Sequence, residues 1–182
     1  GPPGHLAKEG TPTMGGLIIL LAITISTLLW ARLNNTYILI VLFSTLWLGA
    51  IGFIDDYLGA VKKVPKGLIG RYKLAGQMIL GLSIGLFLYA VPLSPEEARL
   101  ATTTELPFFK NHIINFDFLL FGLSFGWIYI VFVALVITGT SNAVNLTDGL
   151  DGLAAGLVGI AFSAFAVLGY IAGRVDFTGY LN

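Results

Sequence analysis

Cysteine is absent from the 182-residue chain, which removes disulfides, thiolate nucleophiles and Cys-ligated metals from consideration. Charge is scarce too. Asp, Glu, Lys and Arg make up 11% of residues, and ten basic side chains balance ten acidic ones, so no excess of one sign points to a nucleic-acid partner. With two histidines in all, the available chemistry is mainly that of carboxylates, amides and lysines. No low-complexity tract or internal repeat interrupts the chain, and no cleavable signal peptide is expected before its first apolar run. Apolar residues fill the space instead: 56% of the chain is hydrophobic, more than a domain with a solvated surface carries. Lipid is therefore expected to be the solvent for most of it.

A bilayer core of about 30 Å takes about 20 apolar residues of helix. Five stretches qualify, at residues 14–31, 37–54, 74–91, 118–139 and 153–172, and none has an interior Asp, Glu, Lys or Arg. Backbone polar groups in lipid must be satisfied within the segment, and these runs lack the two-residue alternation of barrel strands. The predicted fold is all-α, a polytopic transmembrane bundle of five spans treated as one domain over residues 1–182. The runs Gly81-x-x-x-Gly85, Gly122-x-x-x-Gly126 and Gly152-x-x-x-Gly156 are expected to serve helix packing.

Helices that alternate in direction put residues 1–13, 55–73 and 140–152 on one face, and 33–36, 92–117 and 173–182 on the other. Lys8, Lys62, Lys63, Lys66, Arg71 and Lys73 fall on the first face; Arg32, Arg99, Lys110 and Arg174 fall on the second. The positive-inside rule makes the first face cytoplasmic.

Three motifs lie on that face. Gly10-Thr11-Pro12-Thr13-Met14-Gly15-Gly16 opens the first helix, with Lys8 two residues ahead. It reads either as a proline turn with a Thr cap or as a helix N-terminus able to hold an anion. Asp55 and Asp56 stand where the second helix meets the interface. Such a pair can cap a helix end, or hold Mg²⁺ between lipid-borne and soluble phosphates. Lys62, Lys63 and Lys66 read as topology and anionic-lipid anchors, with a catalytic role left open. The third motif runs from Asn142 to Gly152. Asn142, Asn145, Asp148 and Asp151 recur every third residue, so on a helix they form a slowly drifting polar ribbon, while Gly149 and Gly152 let a backbone or flat ring approach. The convergence of all three on one face predicts a single cytoplasmic active site in which Asp55, Asp56, Asp148 and Asp151 share a cleft.

These motifs, with Gly52-Phe53-Ile54-Asp55-Asp56-Tyr57 and Lys66-Gly67-Leu68, resemble the phospho-N-acetylmuramoyl-pentapeptide transferase (translocase I) family over essentially the whole chain. The resemblance implies Mg²⁺-dependent transfer of phospho-MurNAc-pentapeptide from UDP-MurNAc-pentapeptide to undecaprenyl phosphate, giving lipid I and UMP. It implies a multi-pass enzyme of the bacterial inner membrane, active on the cytoplasmic face, working as a homodimer and binding no nucleic acid. Asp55 and Asp56 match the catalytic carboxylates and are carried over as tentative metal ligands. Lys8, Thr13, Asn142, Asn145, Asp148, Gly149 and Asp151 match nucleotide- and phosphate-binding positions. A related polyprenyl-phosphate N-acetylhexosamine-1-phosphate transferase is the alternative, and a non-catalytic membrane scaffold or transporter segment the alternative of another class. The chain departs from the family in having Gly59 where Asp-Asp-x-x-Lys is usual. Family enzymes are also about twice as long, with one helix earlier and several later, and the later part carries the principal Mg²⁺ ligand. This segment alone is accordingly expected to be inactive.

Overall fold

The computed structural model describes residues 15–64, 67–91, 102–105, 112–120, 123–148 and 152–174. They fall into two units, Gly1–Thr138 and Gly139–Asn182. The described residues are mostly helical: α1 (Gly16–Trp30), α2 (Thr36–Asp56) continued by a π-helical turn (Tyr57–Val61), α3 (Gly70–Ala90), α4 (Ile128–Thr147) and α5 (Leu153–Ala172). Two small antiparallel hairpins precede α4, β1 (Thr103–Glu105) with β2 (Ile113–Asn115), and β3 (Leu119–Leu120) with β4 (Leu123–Ser124). Four of the described helices are long and apolar enough to cross a membrane, and α1 is a shorter apolar helix.

Neither α1 nor α2 buries any residue, although both are apolar all round. Helices of that kind are at home in lipid rather than water. Asn35 starts α2 cleanly, its Oδ1 accepting from the N–H groups of Tyr37 (2.9 Å) and Ile38 (3.4 Å).

In the first unit, successive helices pack antiparallel. Leu20 of α1 lies against Gly49 of α2, and the cavity between the two helices runs from the Gly16–Asp56 end. Trp47 of α2 donates its indole N–H to the Gly76 carbonyl of α3 at 3.0 Å, one turn of α2 before Ile51 also meets Gly76. The tightest seam joins α3 to α4. A Cβ on Gly81 would lie 2.6 Å from Ala134 Cα, and one on Gly85 would lie 2.9 Å from Ile130 Cα, while Thr138 Oγ1 meets Met78 Sδ at 3.3 Å. Here the small-residue expectation for Gly81 and Gly85 holds, and Leu80 and Ala134 beside them are almost fully buried. Gly126 sits in a turn rather than a helix, and a Cβ on Gly156 would meet nothing within 4 Å.

The helix expected over 118–139 begins instead at Ile128 and continues to Thr147. Residues 118–127 were apolar enough to be counted as span, but the run holds the poor helix formers Gly122, Ser124 and Gly126. It also holds an aromatic pair suited to a hairpin: Phe118 and Phe125 stack with ring centroids 5.0 Å apart, and Phe125 N–H donates to the Phe118 carbonyl at 3.2 Å. Phe116 then packs its ring on Phe132 (4.8 Å), fastening the end of the first hairpin to the start of α4.

In the second unit, α4 ends at Thr147, whose hydroxyl donates to the Val144 carbonyl at 2.7 Å. Gly152 enters α5 with φ +81°, a left-handed conformation natural to glycine.

Candidate functional site

Consecutive residues on an α-helix project about 100° apart. That simple fact separates Asp55 from Asp56. Asp55 lies one turn after Ile51 and two after Trp47, on the side of α2 that meets α3. Asp56 lies on the side of Gly49, Gly52 and Phe53, which meets α1.

Asp55 closes a clasp. Its Oδ1 accepts the Leu68 backbone N–H at 2.7 Å, and its Oδ2 forms an ion pair with Lys73 in the first turn of α3. Both side chains remain about a quarter exposed, 26% for Asp55 and 27% for Lys73. The ion pair alone therefore contributes about 0–1 kcal/mol, and the charge-assisted hydrogen bond to Leu68 about 1.5–3 kcal/mol. Gly67 makes the clasp sterically possible. Its φ is +56°, and a Cβ there would lie 2.5 Å from Asp55 Oδ1. The chain between α2 and α3 is folded back to reach this point through the π turn, a left-handed Lys63 (φ +54°), and a bond from Val64 N–H to the Leu58 carbonyl (2.9 Å). A π turn and a left-handed non-glycine residue are costly local features that often mark functional segments.

Asp56 is exposed, and its carboxylate makes no hydrogen bond or ion pair among the described residues. It lines one end of a cavity of about 270 Å³ between α1 and α2, whose other described lining residues are apolar or glycine. Close in sequence, Tyr57 stacks on Phe53 with ring centroids 6.1 Å apart, and Lys62 brings its ammonium within 6.0 Å of the Tyr57 ring. Gly59, where a lysine was expected, lies in the π turn, and a Cβ there would meet nothing within 4 Å.

Among the described residues no group of three or more His, Asp or Glu side chains could hold a metal ion. A Mg²⁺ ion that keeps several waters and takes one or two carboxylates plus substrate phosphates still fits such a site. Asp56 offers it an open carboxylate, whereas both Asp55 oxygens already have partners.

In the second unit, Asn142 and Asn145 occupy the last two turns of α4, and Asp148 follows directly, its N–H donating to the Val144 carbonyl at 3.2 Å. The three-residue spacing thus lies on a helix for its first two members. Lys8, Thr13, Gly149 and Asp151 lie outside the described residues.

Gly67, the Leu68 N–H and Lys73 were missed as site residues. Lys73 counted only as a topology lysine, because nothing local connects it to a carboxylate 18 positions earlier. The one available signal was glycine directly after Val64-Pro65-Lys66, a place where the chain often turns back.

Residues 38–181 match the family model described as Glycosyl transferase family 4, and residues 8–20 match the model described as Phospho-N-acetylmuramoyl-pentapeptide-transferase signature 1. Proteins named phospho-N-acetylmuramoyl-pentapeptide-transferase are similar over the whole chain. The one from Chlorobium chlorochromatii (strain CaD3) is 48% identical over 181 residues, covering 100% of this chain and 46% of the relative. The one from Thermodesulfovibrio yellowstonii is 50% identical over 181 residues, with the same two coverages. The one from Endomicrobium trichonymphae is 47% identical over 182 residues, covering 47% of the relative. The chain therefore spans about half the length of the curated relatives it matches.

Proposed function

Because this chain belongs to glycosyl transferase family 4, we propose that, together with the further length its relatives carry, it transfers phospho-MurNAc-pentapeptide from UDP-MurNAc-pentapeptide to undecaprenyl phosphate. The products are lipid I and UMP. The observation that carries this reading is the pairing of the signature match at residues 8–20 with an acidic pair at the end of an apolar helix, where a lipid-borne phosphate and a soluble nucleotide can meet.

An oxygen of the lipid phosphate bonds to the sugar-bearing phosphorus. The bond from that phosphorus to the bridging oxygen breaks, and its electron pair leaves with UMP. Such transfers depend on positioning and charge neutralisation more than on covalent help from protein. A phosphate monoester with a second pKa of about 6 is mostly dianionic at neutral pH, so the attacking oxygen needs little from a base. Mg²⁺, when bound, would neutralise charge on the phosphates, and Asp56 is the described residue best placed to help hold it. Asp55 instead positions the loop through Lys73 and Leu68. Asn142, Asn145 and Asp148, with Lys8, Thr13, Gly149 and Asp151, are assigned to nucleotide and phosphate binding in this reading, on the family resemblance of their motifs.

The acid-bearing end faces the cytoplasm of a bacterial inner membrane, supported by the lysines at positions 62, 63, 66 and 73. Cysteines at Lys63 and Ile114 should then be labelled from opposite sides. The homodimer rests on family resemblance alone. Turnover by the whole-length protein, with each UDP-sugar offered in turn alongside polyprenyl phosphate and Mg²⁺, tests the activity. Transfer from UDP-MurNAc-pentapeptide is expected; preference for a UDP-N-acetylhexosamine would replace this reading with that of the related transferase.

A further inference from the structure

We propose that the connection from α2 to α3 is a docking rim for the anionic headgroups of membrane phospholipids, recognised by Lys62, Lys63 and Arg71. The α2 helix with its π turn spans 26 residues, Thr36–Val61, or about 39 Å at about 1.5 Å per residue. A hydrocarbon core is about 30 Å thick and a bilayer with its headgroups about 40–45 Å, so the end of this helix stands at headgroup depth. The chain does not leave that level afterwards. Val64 N–H bonds back to the Leu58 carbonyl, and Leu68 and Lys73 are both tied to Asp55. A connection that could have projected into water is thus held at the depth of the helix end.

Its charge selects the partner. From Asp55 to Lys73 the sequence carries five basic residues and two acidic ones. Lys73 is held by Asp55. Lys62, Lys63 and Arg71 are exposed and form no ion pair among the described residues, and Asp56 engages none of them. The clasp also decides where two of the three point. Tyr57 comes two residues after Asp55, about 200° round the helix, and has the Lys62 ammonium 6.0 Å from its ring, on the side away from α3. Arg71 comes two residues before Lys73, again about 200° round, so it faces away from α2, with its guanidinium 5.1 Å from the Tyr72 ring. Each of these cations therefore stands beside a tyrosine on an outer flank of the helix pair. Tyrosine with Lys or Arg is the pairing that suits a membrane interface, where an apolar body and a polar tip are satisfied together. Between the cations lie exposed apolar side chains, Val61 (54%) and Ile69 (51%). A soluble acidic partner would answer the charges and leave these wet, whereas an anionic phospholipid sets its phosphate against the cations and its glycerol and acyl region against Val61 and Ile69.

The test places the whole-length protein in phosphatidylcholine nanodiscs with a trace of photoreactive lipid, its diazirine next to the phosphate, made either as phosphatidylglycerol or as phosphatidylcholine. After photolysis, peptides covering residues 57–74 should carry about fivefold more adduct from the phosphatidylglycerol probe, the preference that about one basic side chain gives at an anionic surface. Salt at about 1 M should reduce it. The variant combining Lys62→Gln, Lys63→Gln and Arg71→Gln should bring that ratio to about one, while adducts on other segments keep their wild-type ratio. Equal yields from the two probes in the wild type, or a ratio that the triple variant leaves unchanged, overturn the proposal. This readout stands whatever the protein transfers. Binding of UDP-MurNAc-pentapeptide to both proteins in uncharged detergent then separates lipid phosphate from soluble phosphate. A Kd that shifts by less than about twofold is expected; a larger rise would assign these side chains to the soluble substrate and overturn the lipid assignment.

Discussion

Asp55 turns toward α3 and has both carboxylate oxygens engaged, whereas Asp56, one residue on, turns toward α1 and engages none of the described residues. The first is part of the loop's framework; the second faces an apolar cavity with its charge unspent. An adjacent acidic pair invites the reading that two like groups share one task, such as clamping a metal. The 100° step of the helix argues otherwise, because it gives each acid a different neighbour. In the proposed reaction, preorganisation and chemistry are then divided between them: Asp55 holds the loop, and Asp56 is the acid left open to the phosphates.

The most damaging substitution should be Asp56→Asn. If Asp56 holds charge on the reacting phosphates, its loss removes an interaction made mainly in the transition state, and kcat and kcat/KM should fall together by about 10²–10³-fold. Thermal stability should hardly change, since the side chain has no described partner. The comparison breaks if Asp56→Asn proves nearly as active as wild type.

Breaking the clasp should cost less activity and more stability. Asp55→Asn keeps a hydrogen-bond acceptor for Leu68 but loses the ion pair, and a fall of about tenfold in turnover is expected, with stability lower by about 1 kcal/mol. Gly67→Ala acts at the same place from the other side. It forces a side chain into a left-handed conformation, at about 1–2 kcal/mol, and sets a Cβ 2.5 Å from Asp55 Oδ1. If both act through one clasp, the double variant should be little worse than Gly67→Ala alone, a coupling that stability measurements on the four proteins would expose. Additive losses would mean that Gly67 and Asp55 do separate jobs.

Much of this was legible from residue type alone. The apolar runs place α2 and α5 within two residues of their observed ends, because long helices free of charge leave little choice in lipid. Hydropathy failed at residues 118–127, where an apolar hairpin and an apolar helix look alike and cross-strand aromatic stacking decides between them. The acidic pair was visible as a candidate site, but its asymmetry was not. That depends on a backbone N–H at Leu68, a positive φ at Gly67 and a lysine in the next helix, none of which a motif reports. The cavity was hidden for a similar reason: Gly49 and Gly52 differ only in what α1 places opposite them.

The smallest expected effect is the sharpest test of what Asp55 does. If it positions the loop, the Asp55→Asn defect is a matter of geometry and should be the same ratio to wild type at every pH across the enzyme's working range. If it instead takes a proton from the lipid phosphate, the defect should shrink as pH rises. The phosphate's second ionisation lies near pH 6, so at about pH 8.5 almost every acceptor is already deprotonated and a base has nothing left to do. Turnover of wild type and Asp55→Asn should therefore be compared from about pH 6 to about pH 8.5 at saturating substrates, with Mg²⁺ dependence measured at each end. A flat ratio, with Mg²⁺ affinity little altered because Asp56 is intact, is the outcome expected for a clasp. A ratio that recovers steeply toward alkaline pH would make Asp55 a base despite its two occupied oxygens. A flat ratio accompanied by a large loss of Mg²⁺ affinity would return Asp55 to the metal site and end the division of labour between the two acids.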